Sequence, residues 1–345
     1  MTAMVQPSLP QPIRLALIGA GIFAQDAHVP SILRQNHLFD VVAVYSRTQA
    51  KADALAAQLP GAEATTDLNA LLGREDVDAV DVLLPIDVMP AVVEQALRSG
   101  KHVLSEKPIA DTVAAGSHLV TVYRSLPDPR QVWMVGENWR YEDAFIQAQQ
   151  LVRAGAIGQP RTCHFALHLP VSPTSKYYTS GWRRGGAFRG GYLMDGGVHH
   201  VAAMRLILGE IDLVSALAPA PSADLPPADG LSAALHFDSG VVGVYVVSYA
   251  VGAHWPPYLH IAGDAGSLRV QRREVEVKRG GQVETIACAG FDGVEKELIA
   301  WAASIRQGVP HRNTPEEAWQ DLAVVEAMLD SATSRAAVAP QRVEL

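Results

Sequence analysis

The sequence predicts two domains: an α/β domain on a parallel sheet, then an α+β domain on a large, mostly antiparallel sheet. Three observations carry this. The chain has 345 residues, and at roughly 100–200 residues per domain that is room for two. Up to Gly136, short apolar runs alternate with helical segments. After Gly136, the rhythm changes to strands of period two with few helices between them.

Residues 1–12 are polar and proline-rich and read as a flexible tail without the basic and apolar regions of a signal peptide. Ile13–Ile18, Val41–Tyr45, Ala79–Leu84, His102–Ser105 and Gln131–Val135 are compact apolar runs, as suits strands buried on both faces. Between them, Lys51–Gln58 and Pro90–Ser99 read as helices, and Asp111 is the expected cap of a helix through Arg124. Residues 13–136 thus form one unit of strand–helix repeats with right-handed crossovers.

Residues 137–345 form the second unit. A helix over 144–154 ends at Gly155. Thr162, His164, Ala166 and His168 then alternate with Cys163, Phe165, Leu167 and Leu169, which marks a sheet with two unlike faces. Further strands are expected at 233–237, 241–250, 258–262, 267–270, 274–278 and 282–287. Two helices close the chain, the second opened by the Thr314-Pro315-Glu316-Glu317 capping box.

Lys+Arg is 28 and Asp+Glu is 36, a net charge of −8. This balance, with no basic block, argues against nucleic acid as partner, because non-specific binding needs clustered cations. No apolar stretch is long enough to span a bilayer. Cys163 and Cys288 are far apart and outside any CxxC pair, so neither a disulfide framework nor a metal site is expected. A cytoplasmic location follows as the expectation.

Gly19-Ala20-Gly21-Ile22-Phe23-Ala24 fits G-x-G-x-x-G/A after the first strand. Gly19 allows the tight turn, Gly21 lets the backbone approach a pyrophosphate, and Ala24 lets the helix pack on the sheet. Unpaired N–H groups at the helix start favour an anion. Pro30 leaves the length of that helix open. The second strand ends Val44-Tyr45-Ser46-Arg47-Thr48 with no carboxylate at its tip. An NAD site usually has an acid there for the ribose 2′-hydroxyl. Arg47, with Ser46, suits a 2′-phosphate and favours NADP over NAD; stacking of Arg47 on the adenine of NAD is the alternative.

Ser105-Glu106-Lys107-Pro108 follows the strand at 102–105, so Lys107 is expected at the carboxyl edge of the sheet, where ligands bind. In Asp195-Gly196-Gly197-Val198-His199-His200, a helix would put Asp195 and His199 on one face. A carboxylate beside an imidazole is a useful acid–base unit.

Together these motifs resemble the glucose–fructose oxidoreductase/inositol dehydrogenase/MocA-like (Gfo/Idh/MocA) family. The match runs through the glycine turn, Glu106-Lys107-Pro108, Asn138-Trp139-Arg140-Tyr141, Gly155-x-x-Gly158, Trp182-Arg183, Asp195-x-x-x-His199 and Gly263-x-x-Gly266. The resemblance implies a doubly wound Rossmann domain followed by an α+β domain whose open-faced sheet mediates a homo-oligomer, a dimer or tetramer. It implies an NAD(P)-dependent oxidoreductase acting on a sugar, polyol or related hydroxy compound, with Lys107, Asp195 and His199 at the catalytic positions. Expected at the cofactor are Gly19, Gly21, Ile22, Phe23, Ala24, Ser46, Arg47, Pro85, Glu106 and Lys107. Many members carry an acid three positions after the histidine; here Ala202 stands there.

In the expected mechanism His199 carries the hydroxyl proton, Lys107 stabilises charge on the reacting oxygen, and Asp195 orients His199 or binds a neighbouring hydroxyl. Asn138, Arg140, Tyr177, Trp182 and Arg183 are candidates for the substrate pocket, and the glycine-rich segment 172–191 reads as a loop over it. Two other readings stay open: a non-catalytic NAD(P)-binding regulator, as in the family's galactose-pathway repressors, and a different nicotinamide reaction on the same fold.

Overall fold

The structure, a computed structural model, describes residues 11–185 and 188–343. The expected N-terminal tail lies outside it apart from Gln11 and Pro12.

Six strands form the first sheet: β1 (Ile13–Ile18), β2 (Phe39–Tyr45), β3 (Glu63–Thr65), β4 (Ala79–Val82), β5 (His102–Glu106) and β6 (Trp133–Gly136). Their order is β3-β2-β1-β4-β5-β6, and every neighbouring pair is parallel. The chain changes direction across the sheet between β1 and β4, and the carboxyl edge there is where open α/β sheets bind ligands.

The apolar runs are apolar because helices cover both faces. Ala16 and Ile18 pack with Val93 and Leu97 of the helix Met89–Arg98 and with Leu119 of the helix Val113–Arg124. Leu15 and Leu17 pack on the other face with Ile32 and Leu55. That face is completed by the helix Gly293–Gln307, from the far end of the chain, whose Leu298 and Trp301 join the same cluster. The Trp301 ring stacks 5.9 Å from Phe39. Sequence order therefore does not map simply onto layers.

Two local expectations are corrected. Thr112, not Asp111, caps the helix Val113–Arg124: its hydroxyl accepts from the Ala115 N–H at 3.2 Å, and Asp111 stands one residue too early for that bond. After the glycine turn, a wide turn at Ala24–His28 precedes an α-helix at Val29–Arg34. Pro30 falls in the first turn of that helix, where a missing N–H costs nothing.

Eight strands form the second sheet: β7 (Pro160–His168), β8 (Ile211–Leu217), β9 (Gly230–Phe237), β10 (Val242–Ser248), β11 (Trp255–Gly263), β12 (Ser267–Gln271), β13 (Glu274–Arg279) and β14 (Gln282–Ala287). The order is β14-β13-β12-β11-β7-β10-β9-β8, antiparallel except where β7 meets β10. Cys163, Phe165 and Leu167 are buried under the helices Asp143–Arg153, Gly191–Leu208 and Pro315–Ser334. Leu213, Leu217, Val242 and Val244 are exposed on the outer face, so the sheet is open on one side. The same leucines hid β8 from the sequence reading, because apolar residues on both faces blur a period of two.

The helix Pro315–Ser334 starts at the expected cap, where the Thr314 hydroxyl accepts from the Glu317 N–H at 3.3 Å. The carboxylate of Glu317 faces Arg140 and Arg205.

Candidate active site

The glycine turn joins β1 to the first helical turn. Gly19 has φ +122°, and a Cβ there would collide with the Leu83 carbonyl oxygen. Only glycine fits, because the loop after β4 crosses against it. Gly21 differs: a Cβ there would meet nothing within 4 Å, so it would point into open space. That space belongs to a cavity of about 1480 Å³, larger than the roughly 300–1,000 Å³ of a single small-molecule pocket. Gly21, Ile22, Phe23 and Ala24 line it, with Pro85 from the loop after β4 and Glu106 and Lys107 from the end of β5 and the loop after it. The bare backbone at Gly21 and the room before it fit a dinucleotide.

Arg47 is exposed just past β2 and has no ion-pair partner among the described residues. Ser46 is buried, and its hydroxyl accepts from the Thr48 N–H at 3.3 Å. Glu106 is held from behind. His28 is fully buried between two carboxylates, with Nδ1 2.7 Å from Asp81 Oδ2 and Nε2 3.1 Å from Glu106 Oε1. Burial works against a charge on His28, but the two carboxylates outweigh it and hold its pKa well above the ordinary value.

The helix Gly191–Leu208 also lines the cavity and carries both Asp195 and His199. Its interior glycines cost helix stability, about 1 kcal/mol each. Gly196 has a reason: a Cβ there would collide with the Tyr249 hydroxyl, so glycine brings the helix close to the sheet. Lys107 Nζ donates to Asp195 Oδ1 at 2.7 Å and to the Asp195 carbonyl at 2.9 Å. Arg183 Nε donates to Asp195 Oδ2 at 2.7 Å, with its guanidinium 4.0 Å from the Trp182 ring. Burial pushes the Asp195 carboxyl up, but Lys107 and Arg183 prevail and hold it well below the usual carboxylate range.

The structure corrects the expected link between Asp195 and His199. Both Asp195 oxygens are engaged by cations, and the carboxylate that meets the imidazole is Glu137, with Oε1 2.6 Å from His199 Nδ1. Glu137 follows β6 directly, at the same carboxyl edge as the glycine turn and Lys107, and that position was the signal that could have found it. His200 is buried, its Nδ1 2.8 Å from the Tyr245 hydroxyl, and burial with the charges of His199 and Lys107 drives its pKa well below the ordinary value. It is a neutral core group.

Asn138, Tyr177, Trp182 and Arg183 line the cavity as expected. Arg140 does not. It is buried behind the site, where a guanidinium nitrogen donates to both Asp321 oxygens at 2.8 and 2.7 Å, because a buried cation demands a carboxylate partner. The segment 172–185 reaches the cavity through Tyr177 and Trp182; residues 186 and 187 lie outside the described residues. Among the described residues no cluster of His, Cys, Asp and Glu is arranged to hold a metal, and no helix is long and apolar enough to cross a membrane.

Residues 13–132 match the model of an oxidoreductase family with an NAD-binding Rossmann fold, and residues 145–269 match the Gfo/Idh/MocA C-terminal domain. The chain belongs to the Gfo/Idh/MocA family. This Gfo/Idh/MocA protein is 32% identical to dehydrogenase FPY6 of Fusarium mangiferae, over 93% of this chain and 96% of that protein. It is 28% identical to an inositol 2-dehydrogenase of Acidothermus cellulolyticus, over 95% and 94%. The crystal structure of an oxidoreductase from Thermotoga maritima superposes with a TM-score of 0.89 at 34% identity, covering 95% of this chain and 98% of that one. With its relatives, this Gfo/Idh/MocA chain is an NAD(P)-binding enzyme of the dehydrogenase/reductase type.

Proposed function

We propose that the enzyme moves a hydride reversibly between NADP(H) and a carbinol or carbonyl carbon of a sugar, polyol or related small hydroxy compound. Residues 13–136 hold the cofactor, and 137–345 supply the substrate side. One observation carries the reading: Lys107, Asp195 and His199, from two distant segments, converge on a cavity that the glycine turn also lines.

The nicotinamide, when bound, supplies the hydride acceptor or donor. The chain's own residues handle the oxygen and its proton. An ammonium has three donors. Two of those on Lys107 go to Asp195, which aims the third at the cavity. There it stabilises negative charge on the reacting oxygen. His199 Nε2, which has no protein partner among the described residues, takes the hydroxyl proton in oxidation and returns it in reduction. Arg183, stacked on Trp182, holds the second oxygen of Asp195, and Asn138 and Tyr177 line the space for further hydroxyls.

Arg47, at the tip of β2 and without an ion-pair partner among the described residues, supports NADP over NAD. The exposed apolar outer face of the second sheet supports a homo-oligomer in which a second copy covers it. The two free cysteines fit a reducing, cytoplasmic setting.

The test is a titration of NAD(H) and NADP(H) side by side, followed by turnover assays with myo-inositol and simple sugars. Tighter binding of NADP(H) that is lost in Arg47→Ala is expected. Tighter binding of NAD(H) overturns the 2′-phosphate role of Arg47 and leaves the enzyme reading intact. Binding of neither overturns the cofactor site.

A further inference from the structure

We propose that Glu137 is the positioning residue that fixes His199 as the tautomer with hydrogen on Nδ1 and a free lone pair on Nε2 facing the cavity. The inference rests on the reading of His199 as the proton carrier.

Hydrogen bonds from backbone and side chain hold Glu137 in place. It is 1% exposed. Its backbone N–H donates to the Val135 carbonyl at 2.7 Å, and its own carbonyl accepts from Asn313 Nδ2 at 3.0 Å. Oε1 accepts from the Trp139 N–H at 3.2 Å and meets His199 Nδ1 at 2.6 Å. Trp139 also holds the imidazole from its face, with ring centroids 5.5 Å apart and planes 12° apart. The carboxylate edge and the indole face together leave the ring little freedom to turn.

The proton on the Glu137–His199 contact is decided by charge. Burial pushes the Glu137 carboxyl up, but His199, Arg140 and Lys107 outweigh that and hold it below the ordinary range. An ionised carboxylate only accepts. The hydrogen in the 2.6 Å contact is therefore the one on Nδ1. A neutral imidazole carries a single hydrogen, so Nε2 is left as the acceptor.

The arrangement matches the reaction. During oxidation the carbinol C–H bond breaks with its electron pair leaving as hydride to the cofactor. The O–H proton moves to Nε2, and the carbonyl π bond forms from the O–H pair. His199 then carries both hydrogens and one positive charge, opposite the carboxylate of Glu137. Reduction reverses each transfer. Asp195 cannot take this part, because Lys107 and Arg183 occupy its oxygens. A carboxylate behind a catalytic imidazole sets both its tautomer and the stability of its charged form.

The test has an arm that needs no turnover. With histidine nitrogens labelled and NADP+ added, long-range proton–nitrogen correlation spectra report the tautomer of each imidazole, and His199→Gln assigns the signal. Wild type is expected to show the Nδ1–H form for His199. Glu137→Gln, which removes the charge at nearly constant shape, is expected to mix in the Nε2–H form. An Nε2–H form in wild type, or an unchanged His199 signal in Glu137→Gln, overturns the proposal.

The kinetic arm uses myo-inositol as probe. Glu137→Gln is expected to lower kcat by about 10²–10⁴-fold, the usual worth of acid–base help, with KM nearly unchanged. The oxidative pH–rate profile of Glu137→Gln should differ from that of wild type, because the carboxylate that faces the ring is gone. Glu137→Asp should recover part of kcat. An unmoved pH profile with a loss confined to thermal stability assigns Glu137 a structural role instead. If the tautomer result holds while His199→Gln keeps full turnover, the reading of His199 fails and the positioning contact stands.

Discussion

Lys107 and Asp195 stand 88 residues apart in sequence and 2.7 Å apart in space, Nζ to Oδ1. The contact joins the loop after β5 to the helix Gly191–Leu208, and with the bond to the Asp195 carbonyl it uses two of the three ammonium hydrogens. Lys107→Met keeps the stem and removes the charge. Turnover should fall by about 10²–10³-fold, the cost of removing one preorganised donor to a developing oxyanion. Steady-state kinetics with the thermal midpoint measured alongside separates this from unfolding; near wild-type kcat in the folded variant rejects the role.

The same contact has a signature in acid. Burial raises the Asp195 carboxyl, yet Lys107 and Arg183 hold it below the usual range. A carboxyl lowered on folding adds stability above its unfolded pKa of about 3.9 and loses it as pH falls through the folded value. Without Lys107, burial gains weight and the folded value climbs. The acid-unfolding midpoint of Lys107→Met should therefore lie at higher pH than that of wild type. Circular dichroism followed down the pH scale checks the direction, and a midpoint moved to lower pH contradicts it.

These two groups were legible through the family motifs they resemble, Glu106-Lys107-Pro108 and Asp195-x-x-x-His199; spacing alone pointed to an Asp195–His199 pair, whereas Asp195 meets Lys107 and Arg183. The strands of the first sheet were legible because burial on both faces makes them continuous apolar runs. Glu137 was legible only in part: its place just after β6 marks the carboxyl edge, but its partner lies 62 residues away and the local sequence does not say that the carboxylate meets an imidazole. Arg140 was misplaced for the converse reason. It shares its segment with cavity residues, but the short helix Asn138–Tyr141 turns its side chain toward Asp321, 181 residues on. The helix Gly293–Gln307 was expected as a helix, but its place on the first sheet depends on Phe39 and Trp301, which stack although they are far apart in sequence.

Two glycines of the same turn should fail in opposite ways. Gly19→Ala puts a Cβ against the Leu83 carbonyl at φ +122°, so backbone must shift. Strain of that kind costs about 1–3 kcal/mol before the clash is counted, and chemical denaturation should show it without any cofactor. Gly21→Ala meets open space in the protein. Its stability should match wild type, while NADP(H) affinity falls at least about tenfold, which is 1.4 kcal/mol. Equal cofactor affinity in Gly21→Ala would place the pyrophosphate elsewhere.

Arg140 separates a structural cation from a substrate-binding one. Asp321 is 1% exposed and receives Arg140 at 2.7 and 2.8 Å and Arg205 Nη1 at 2.6 Å. Glu317, also near Arg140, is half-exposed and adds little. Arg140→Met deletes one side of a buried pair, and leaving such a charge under-compensated costs about 3–5 kcal/mol. Arg205 stays in place and keeps the loss toward the lower figure. The denaturation midpoint should drop clearly, while KM for myo-inositol, measured where the variant is folded, stays near wild type because the guanidinium never reaches the cavity. A raised KM with an unchanged midpoint would instead return Arg140 to the substrate pocket, and would require the Asp321 pairing to open when substrate binds.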